Sequence, residues 1–277
     1  KLALWGLFKK VVIADNLGSK VDYIFDNYMI LNGGVLLLGL AYFSFQIYCD
    51  FSGYSDIAIG TAKLFGFEIM SNFKFPYFSR NISEFWRKWH ISLSTWFRDY
   101  LYIPLGGSKK GNWSSIRNIF VIFIVSGLWH GANFTFIIWG LIHALLYLPL
   151  FLFGNNRKHI KSIVSQNKYF PSIKEFLQII FTFFLIMISW VFFRSETTID
   201  AINYLNIIIT NFGIPNHHRF IFIYVLWIIV FDWLLREDER LEYKQKTINY
   251  IFDWFLILAI YLSFDNQIAK EFIYFQF

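Results

Sequence analysis

His130 lies in a short polar motif, SGLWHGAN (126–133), between apolar segments at 116–125 and 134–153. An ionisable side chain at membrane depth is rare and is by default a candidate functional residue. The flanking Gly127 and Gly131 permit backbone that departs from a helix, or they allow another group to approach closely. Irregular backbone at that depth is tolerated only where protein or a water-filled cavity satisfies it. We therefore expect His130 to face such a cavity; the alternative is a buried histidine hydrogen-bonded to a neighbouring helix.

A second histidine, His90, lies in a basic and aromatic region (71–118) that suits the cytoplasmic membrane interface. The pattern Asn-x-x-Glu at Asn81–Glu84 predicts a helix start, and the turn sequence PLGG (104–107) predicts its end. At about 100° per residue, this helix has an aromatic face and a polar stripe. The stripe could line a cavity, although an interfacial helix without chemistry fits the pattern too. Its members are Arg87, His90, Ser94 and Arg98.

These residue types suit acyl transfer to an alcohol. A neutral imidazole, with an ordinary pKa of about 6.5, can take the proton of a hydroxyl group. The reaction also needs donors for the developing oxyanion, and Asn133 and the arginines could supply them. Asp50 and Asp56 interrupt an apolar run. They either line the wall of a tunnel or form structural hydrogen bonds to a neighbouring helix.

Other kinds of site are not indicated. The sequence has no glycine-rich phosphate loop, no Gly-x-Ser-x-Gly elbow and no HExxH motif. We predict no metal site and no bound cofactor, because the histidine pair His217–His218 has no carboxylate or cysteine at ligand spacing. Cys49 is the single cysteine, which excludes a disulfide within the chain.

The composition is that of a membrane protein. Of 277 residues, 56% are hydrophobic and 22% aromatic, which exceeds the apolar share of about 45–50% in soluble domains. The net charge is +6. In membrane proteins, lysines and arginines gather in cytoplasmic loops and near anionic lipid headgroups. We therefore predict a lipid bilayer as partner and no nucleic acid. We predict one all-α, polytopic membrane domain over 1–277. The expected spans are 33–49, 134–153, 176–193, 220–235 and 248–264, preceded by a short segment at 2–17 that is broken at Lys9–Lys10.

Four motifs resemble the membrane-bound O-acyltransferases, in the branch that contains alginate and peptidoglycan O-acetylases. They are GLFKKVVIADNL from Gly6, QIYCDFSGYSDIAIGTAKLFGF from Gln46, NFKFPYFSRNISEFWRKWHISLSTWFRDYLYIPLGG from Asn72 and SGLWHGANFTFIIWGLIHA from Ser126. The closing EFIYFQF is also similar to that branch. The resemblance implies tilted, broken and interfacial helices around a central tunnel.

The same resemblance implies a function. It is transfer of an acetyl group from a cytoplasmic thioester, acetyl-CoA as donor, across a bacterial plasma membrane to a cell-envelope polysaccharide. A periplasmic or extracellular acetyltransferase is the implied protein partner. His130 takes the family's catalytic position and His90 its second polar position. Members of the family are longer, so we expect this chain to be the C-terminal part of such a protein.

Besides acyl transfer to a lipid or a protein within the same family, two other functions stay open at this point. Transfer of D-alanine to teichoic acids occurs in a similar branch, but that branch usually has asparagine where this chain has Arg87. The second is a transporter for a polar solute, because broken helices and intramembrane polar residues occur there as well.

The basic regions predict the topology. We expect 74–117 and 157–174 to face the cytoplasm, because translocation of so many positive charges is disfavoured. A cysteine introduced by Lys110→Cys should not react with an impermeant thiol reagent added to intact cells, and it should react after permeabilisation. Efficient labelling of intact cells would contradict this topology.

Overall fold

The structure is a computed structural model that describes residues 1–160, 162–215, 219–238, 240–241 and 246–264. Regular structure in these ranges is entirely helical, so the predicted all-α fold is confirmed. The α-helices are α1 (Leu2–Leu7), α2 (Asp15–Asp26), α3 (Gly33–Leu64), α4 (Ile82–Lys88), α5 (Ile91–Phe97), α6 (Asn112–His130), α7 (Phe134–Leu152), α8 (Ile173–Arg194), α9 (Thr198–Thr210), α10 (Phe222–Leu235) and α11 (Lys246–Phe264). Phe8–Ala14 and Arg98–Tyr102 are π-helix, and Tyr28–Ile30, Pro76–Phe78 and Arg219–Ile221 are 3₁₀-helix.

The chain folds into two compact units. The first contains Lys1–Ser71 and the described residues from Tyr204 onward, and the second contains Asn72–Asn203. Both histidines of the predicted site, His90 and His130, therefore lie in the second unit. The single domain predicted over 1–277 stays a prediction.

Among the described residues, three helices are long and apolar enough to cross a membrane: α3, α7 and α8. The chain is a membrane protein, as predicted. The expected spans at 134–153 and 176–193 correspond to α7 and α8, and 33–49 is the first half of α3. The spans expected at 220–235 and 248–264 lie in α10 and α11, which are not among these three. At 14 residues, α10 is about 21 Å long, which is less than the roughly 30 Å of a bilayer core.

Lys9 and Lys10 interrupt the apolar run of the segment predicted at 2–17, but they do not interrupt its helix. The chain is helical without interruption from Leu2 to Asp26, and its central part is the π-helix Phe8–Ala14. Lys9 is buried, and its ammonium group lies 2.7 Å from the Asp56 carboxylate and 2.9 Å from the Ser52 hydroxyl of α3. The helix continues because tertiary partners compensate this charge.

The neighbouring Lys10 is paired in the same way. Its ammonium group forms ion pairs with Asp15 on α2 and with Asp50 on α3. Both carboxylates that interrupt the apolar run of α3 therefore face lysines of the N-terminal helices. A buried charge is tolerated when it is paired, so these contacts support the structural interpretation of Asp50 and Asp56.

Close approach between helices explains the small residues of the first unit. A Cβ atom at Gly60 of α3 would lie 2.7 Å from the backbone nitrogen of Ala3 in α1. A Cβ atom at Gly53 would lie 2.7 Å from the carbonyl oxygen of Gly6. Small residues allow helix backbones to approach this closely.

The second unit contains a tightly packed helix pair, α6 and α7. A Cβ atom at Gly127 of α6 would overlap the carbonyl oxygen of Phe136, and one at Gly140 of α7 would overlap that of Phe123. Gly127 therefore allows close approach of another helix, one of its two predicted roles, while α6 continues as a helix to His130. The two helices are joined by only three residues, 131–133, and form a hairpin.

A buried ionic cluster anchors the start of α4. Asn81 caps the helix by accepting a hydrogen bond from the Glu84 backbone, as its motif predicts. Glu84 is fully buried and binds Arg80 at 3.0 Å and Lys88 at 2.8 Å. Burial alone would raise the pKa of Glu84, but the Arg80 hydrogen bonds and the Lys88 charge hold it below its usual value. Arg80 also binds Glu175, near the start of α8.

His143 joins three helices of the second unit. It is completely buried on α7; its Nδ1 lies 3.3 Å from the indole nitrogen of Trp86 on α4, and its Nε2 lies 3.0 Å from the Ser189 hydroxyl on α8. An indole N–H can only donate, so Nδ1 accepts and a neutral imidazole carries its hydrogen on Nε2. The Ser189 hydroxyl donates to the carbonyl oxygen of Ile186. His143 therefore forms hydrogen bonds to two neighbouring helices, α4 and α8.

This network predicts the effect of Ser189→Ala. The substitution would leave the buried Nε2–H of His143 without an acceptor, at a cost of about 1–3 kcal/mol. We expect a lower apparent melting temperature of the protein in detergent. Ser114→Ala, at a half-buried position in the first turn of α6, is the matched control and should leave the melting temperature unchanged. Equal stability of the two variants would contradict the network.

Candidate active site around His130

His130 ends α6 and is surrounded by aromatic rings. It is half-buried. Its imidazole contacts four rings, with centroid distances of 4.9 Å to Trp129, 6.1 Å to Phe136, 5.4 Å to Trp139 and 4.9 Å to Phe193. The α6–α7 hairpin supplies three of these rings and α8 supplies the fourth. His130 therefore lies among aromatic rings supplied by the hairpin and by α8.

His90 lies next to the same ring system. Its ring centroid is 6.1 Å from that of Trp129, and the two histidines are close enough to interact electrostatically. Burial lowers the pKa of His90 to about 4. The imidazole of His90 is therefore neutral at physiological pH and can accept a proton.

The backbone at His90 is unusual. His90 has φ of 46° and ψ of 56°, the left-handed conformation, which is uncommon for residues other than glycine. Such a residue costs of order 1–3 kcal/mol and is often found at functional sites. Asn72 stabilises the bend, because its carbonyl oxygen accepts from the Ile91 N–H at 3.0 Å and its side chain accepts from the Ser92 N–H at 3.1 Å.

This bend overturns part of the sequence prediction. The single helix expected from Asn81 to Pro104 is two helices, α4 and α5, with Trp89 extended and His90 left-handed between them. Arg87 and His90 therefore do not share a helical stripe with Ser94 and Arg98. The spacing of the four residues fits a helix, but tertiary hydrogen bonds from Asn72 favour the break.

The polar residues of the expected stripe have separate partners. The Arg87 guanidinium donates to the Ser83 hydroxyl at 2.7 Å and to the carbonyl oxygens of Asn156 and Lys158 at 2.9 and 2.8 Å. Arg87 thus connects α4 to the segment after α7. Ser94 donates to the Trp89 carbonyl oxygen at 3.3 Å.

Arg98 is different, because its side chain is 60% exposed and pairs with the adjacent Asp99. Trp89 is buried, as expected, whereas Trp96 and Tyr100 are exposed on the surface of the described chain. That surface suits contact with lipid. The substrate-binding roles predicted for Arg87, Ser94 and Arg98 stay predictions.

Asn133 begins α7 beside His130. Its side-chain oxygen accepts from the Thr135 N–H at 3.1 Å, and its amide nitrogen donates to the Glu196 carbonyl oxygen at 2.7 Å. Asparagine is a preferred residue at this capping position. These contacts account for Asn133 as a cap that ties the hairpin to the end of α8, and its predicted role toward substrate stays a prediction, as do those of Asp50 and Asp56.

Sequence reasoning missed several residues of the site. Trp129, Phe136, Trp139 and Phe193 form the rings around His130, but in an apolar sequence they resemble ordinary core residues. The spacing of Phe136 and Trp139 on one helix, directly after the His130 motif, is the signal that could have indicated them. Within the described parts of the chain, no three His, Cys, Asp or Glu side chains are grouped as metal ligands. His217–His218 lies outside the described residues.

Known proteins share this arrangement of motifs. The model of the MBOAT, membrane-bound O-acyltransferase family, matches residues 11–195. A protein of Pseudomonas putida named "Probable alginate O-acetylase" is 47% identical over 191 residues, which are 69% of this chain and 37% of that protein. A peptidoglycan O-acetyltransferase of Helicobacter pylori is 40% identical over 200 residues, 72% of this chain and 36% of that protein.

A teichoic acid D-alanyltransferase of Bacillus subtilis is more distant, at 31% identity over 194 residues, 64% of this chain and 47% of that protein. The chain spans less than half the length of each of these curated relatives. The family match covers the hairpin, both histidines and the rings around them. The chain belongs to the membrane-bound O-acyltransferase family.

Proposed function

We propose that this chain carries the catalytic histidine of an O-acetyltransferase. In this proposal, an acetyl group passes from a cytoplasmic thioester, acetyl-CoA, across the membrane to a hydroxyl group of a cell-envelope polysaccharide or of a partner acetyltransferase. The observation that carries the proposal is the position of His130 among aromatic rings, beside the neutral imidazole of His90. The similarity to alginate and peptidoglycan O-acetylases supports the acetyl group and the polysaccharide.

His130 acts as the general base in this reaction. It takes the proton of the attacking hydroxyl, the oxygen bonds to the thioester carbonyl carbon, and the thiolate leaves with that proton when the C–S bond breaks. Direct transfer needs one chemical step, so no covalent acyl-imidazole is required. An apolar surrounding favours this role, because it keeps the imidazole in its neutral, proton-accepting form.

His90 supports His130 through their shared neighbour. Both imidazoles contact the Trp129 ring, and the left-handed backbone of His90 aims its side chain differently from a helical residue. D-Alanyl transfer to teichoic acid is the second candidate within the family, and the lower identity to D-alanyltransferases favours acetyl transfer. No observation favours the transporter.

The test is His130→Gln in the full-length protein with its partners present. Glutamine keeps a polar side chain of similar reach but has no basic nitrogen, so the rate of acetyl transfer should fall by roughly two to four orders of magnitude. Incorporation of labelled acetyl groups into the acceptor measures the rate. His159→Gln makes the same change in the loop after α7 and should leave it unchanged.

Proteoliposomes separate enzyme from transporter. Acetyl transfer should require both the thioester donor and His130, whereas a transporter would move solute with no donor present. Near-normal acetylation by an inserted His130→Gln protein would remove His130 from the reaction. Solute flux without a donor would replace the proposed enzyme with a transporter.

A further inference from the structure

Two buried hydrogen-bond donors on α7 have no partner among the described residues: the indole N–H of Trp139 and the hydroxyl of Thr135. Trp139 is 1% exposed and Thr135 is fully buried. Most buried polar groups in proteins are hydrogen-bonded, and each exception calls for an explanation. Leaving a buried donor without an acceptor is costly, so two such donors on one helix indicate a function for them.

The surroundings of Trp139 explain why it finds no acceptor. His143 has one accepting nitrogen, Nδ1, which already binds Trp86, and its Nε2–H donates to Ser189. The remaining neighbours are carbon-rich ring faces and edges. The ring contacts of Trp139 are with Trp86, His130, His143, Trp190 and Phe193.

Trp139 lies directly against His130. Their ring centroids are 5.4 Å apart and their planes are nearly perpendicular, at 88°. Thr135 lies four residues earlier on α7, one helical turn away on the same face. It also lies in the first turn of α7, where the helix dipole favours negative charge. The two donors thus share the α7 face that meets the candidate base.

The donors expected from the sequence are engaged elsewhere. Arg87 binds a hydroxyl and two backbone carbonyl oxygens. Arg98 binds Asp99 at an exposed position. The Asn133 amide serves the start of α7 and the Glu196 carbonyl. The reaction proposed for His130 needs donors at the carbonyl oxygen of the thioester, and the two donors on α7 are available for it.

We propose that the Trp139 indole N–H and the Thr135 hydroxyl stabilise the oxyanion of acyl transfer. When the acceptor oxygen attacks the carbonyl carbon, its proton passes to His130 and the carbonyl oxygen becomes an oxyanion that accepts from both donors. Cleavage of the C–S bond then restores the carbonyl group, and the departing thiolate takes the proton from His130. This inference rests on the proposed function and names the residues that complete its site.

The experiment compares Trp139→Phe and Thr135→Val with the unaltered full-length protein in acetyl transfer. Each change removes a donor; Thr135→Val keeps the shape of the side chain, whereas Trp139→Phe also removes one ring of a buried indole. Loss of one such donor lowers kcat by about 10²–10³-fold in well-studied enzymes, and we expect a fall of that order with little change in KM, because the bond strengthens only in the transition state. Thr135→Ser restores the hydroxyl and should restore kcat.

Two controls separate chemistry from folding. Trp113→Phe makes the same aromatic change at an exposed tryptophan of α6 and should keep normal kcat. Elution from a sizing column and the melting temperature in detergent report whether each variant folds. If Trp139→Phe does not fold, the comparison of kcat between Thr135→Val and Thr135→Ser tests the inference, because the two variants differ in the hydroxyl donor.

The inference would be overturned if folded Trp139→Phe and Thr135→Val proteins both kept kcat within about twofold of normal while His130→Gln was inactive. Normal activity of His130→Gln would overturn the proposed function instead. The two failures are therefore distinguishable.

Discussion

The close contact between α6 and α7 is the constraint on which the site depends. At Gly127 and Gly140 the backbone of each helix touches the other, and any side chain would overlap a carbonyl oxygen. Helices this close need only the three residues 131–133 between them. His130 at the end of α6 is thereby held against Phe136 and Trp139 of α7. A wider spacing would separate the imidazole from these rings. The packing at the two glycines therefore sets the position of the His130 imidazole.

Most buried polar groups of the second unit have hydrogen-bond or ion-pair partners. His143 uses both nitrogens, and Glu84 binds two cations. In an apolar interior, an unpaired polar group costs more than it does in water. Exceptions among the described residues of this unit are the indole N–H of Trp139 and the hydroxyl of Thr135 on α7 and the indole N–H of Trp190 on α8. Trp139 and Thr135 lie one helical turn apart on α7, and the Trp139 ring contacts His130.

The left-handed residue between α4 and α5 shows how a functional position departs from local preference. The sequence around His90 has a helical pattern, yet Asn72 takes the N–H groups of Ile91 and Ser92 and stabilises the break. The break brings the His90 ring to Trp129. A continuous helix would have aligned His90 with Ser94 instead. Local propensity was overridden by two hydrogen bonds from a segment nearly twenty residues earlier.

The sequence by itself determined the helical class, the apolar helices α7 and α8, the cap at Asn81 and the identity of both histidines. These follow from composition, from periodicity and from motifs that act over a few residues. Only the tertiary structure decided that Lys9 is buried in an ion pair, that Lys10 pairs with Asp15 and Asp50, that Gly127 serves packing and that the helix breaks at His90. It also decided that the Trp139 and Thr135 donors on α7 lack partners among the described residues. Each of these features depends on groups that are distant in sequence. A local sequence pattern does not specify which distant group will pair with a charge, pack against a glycine or accept from a buried donor.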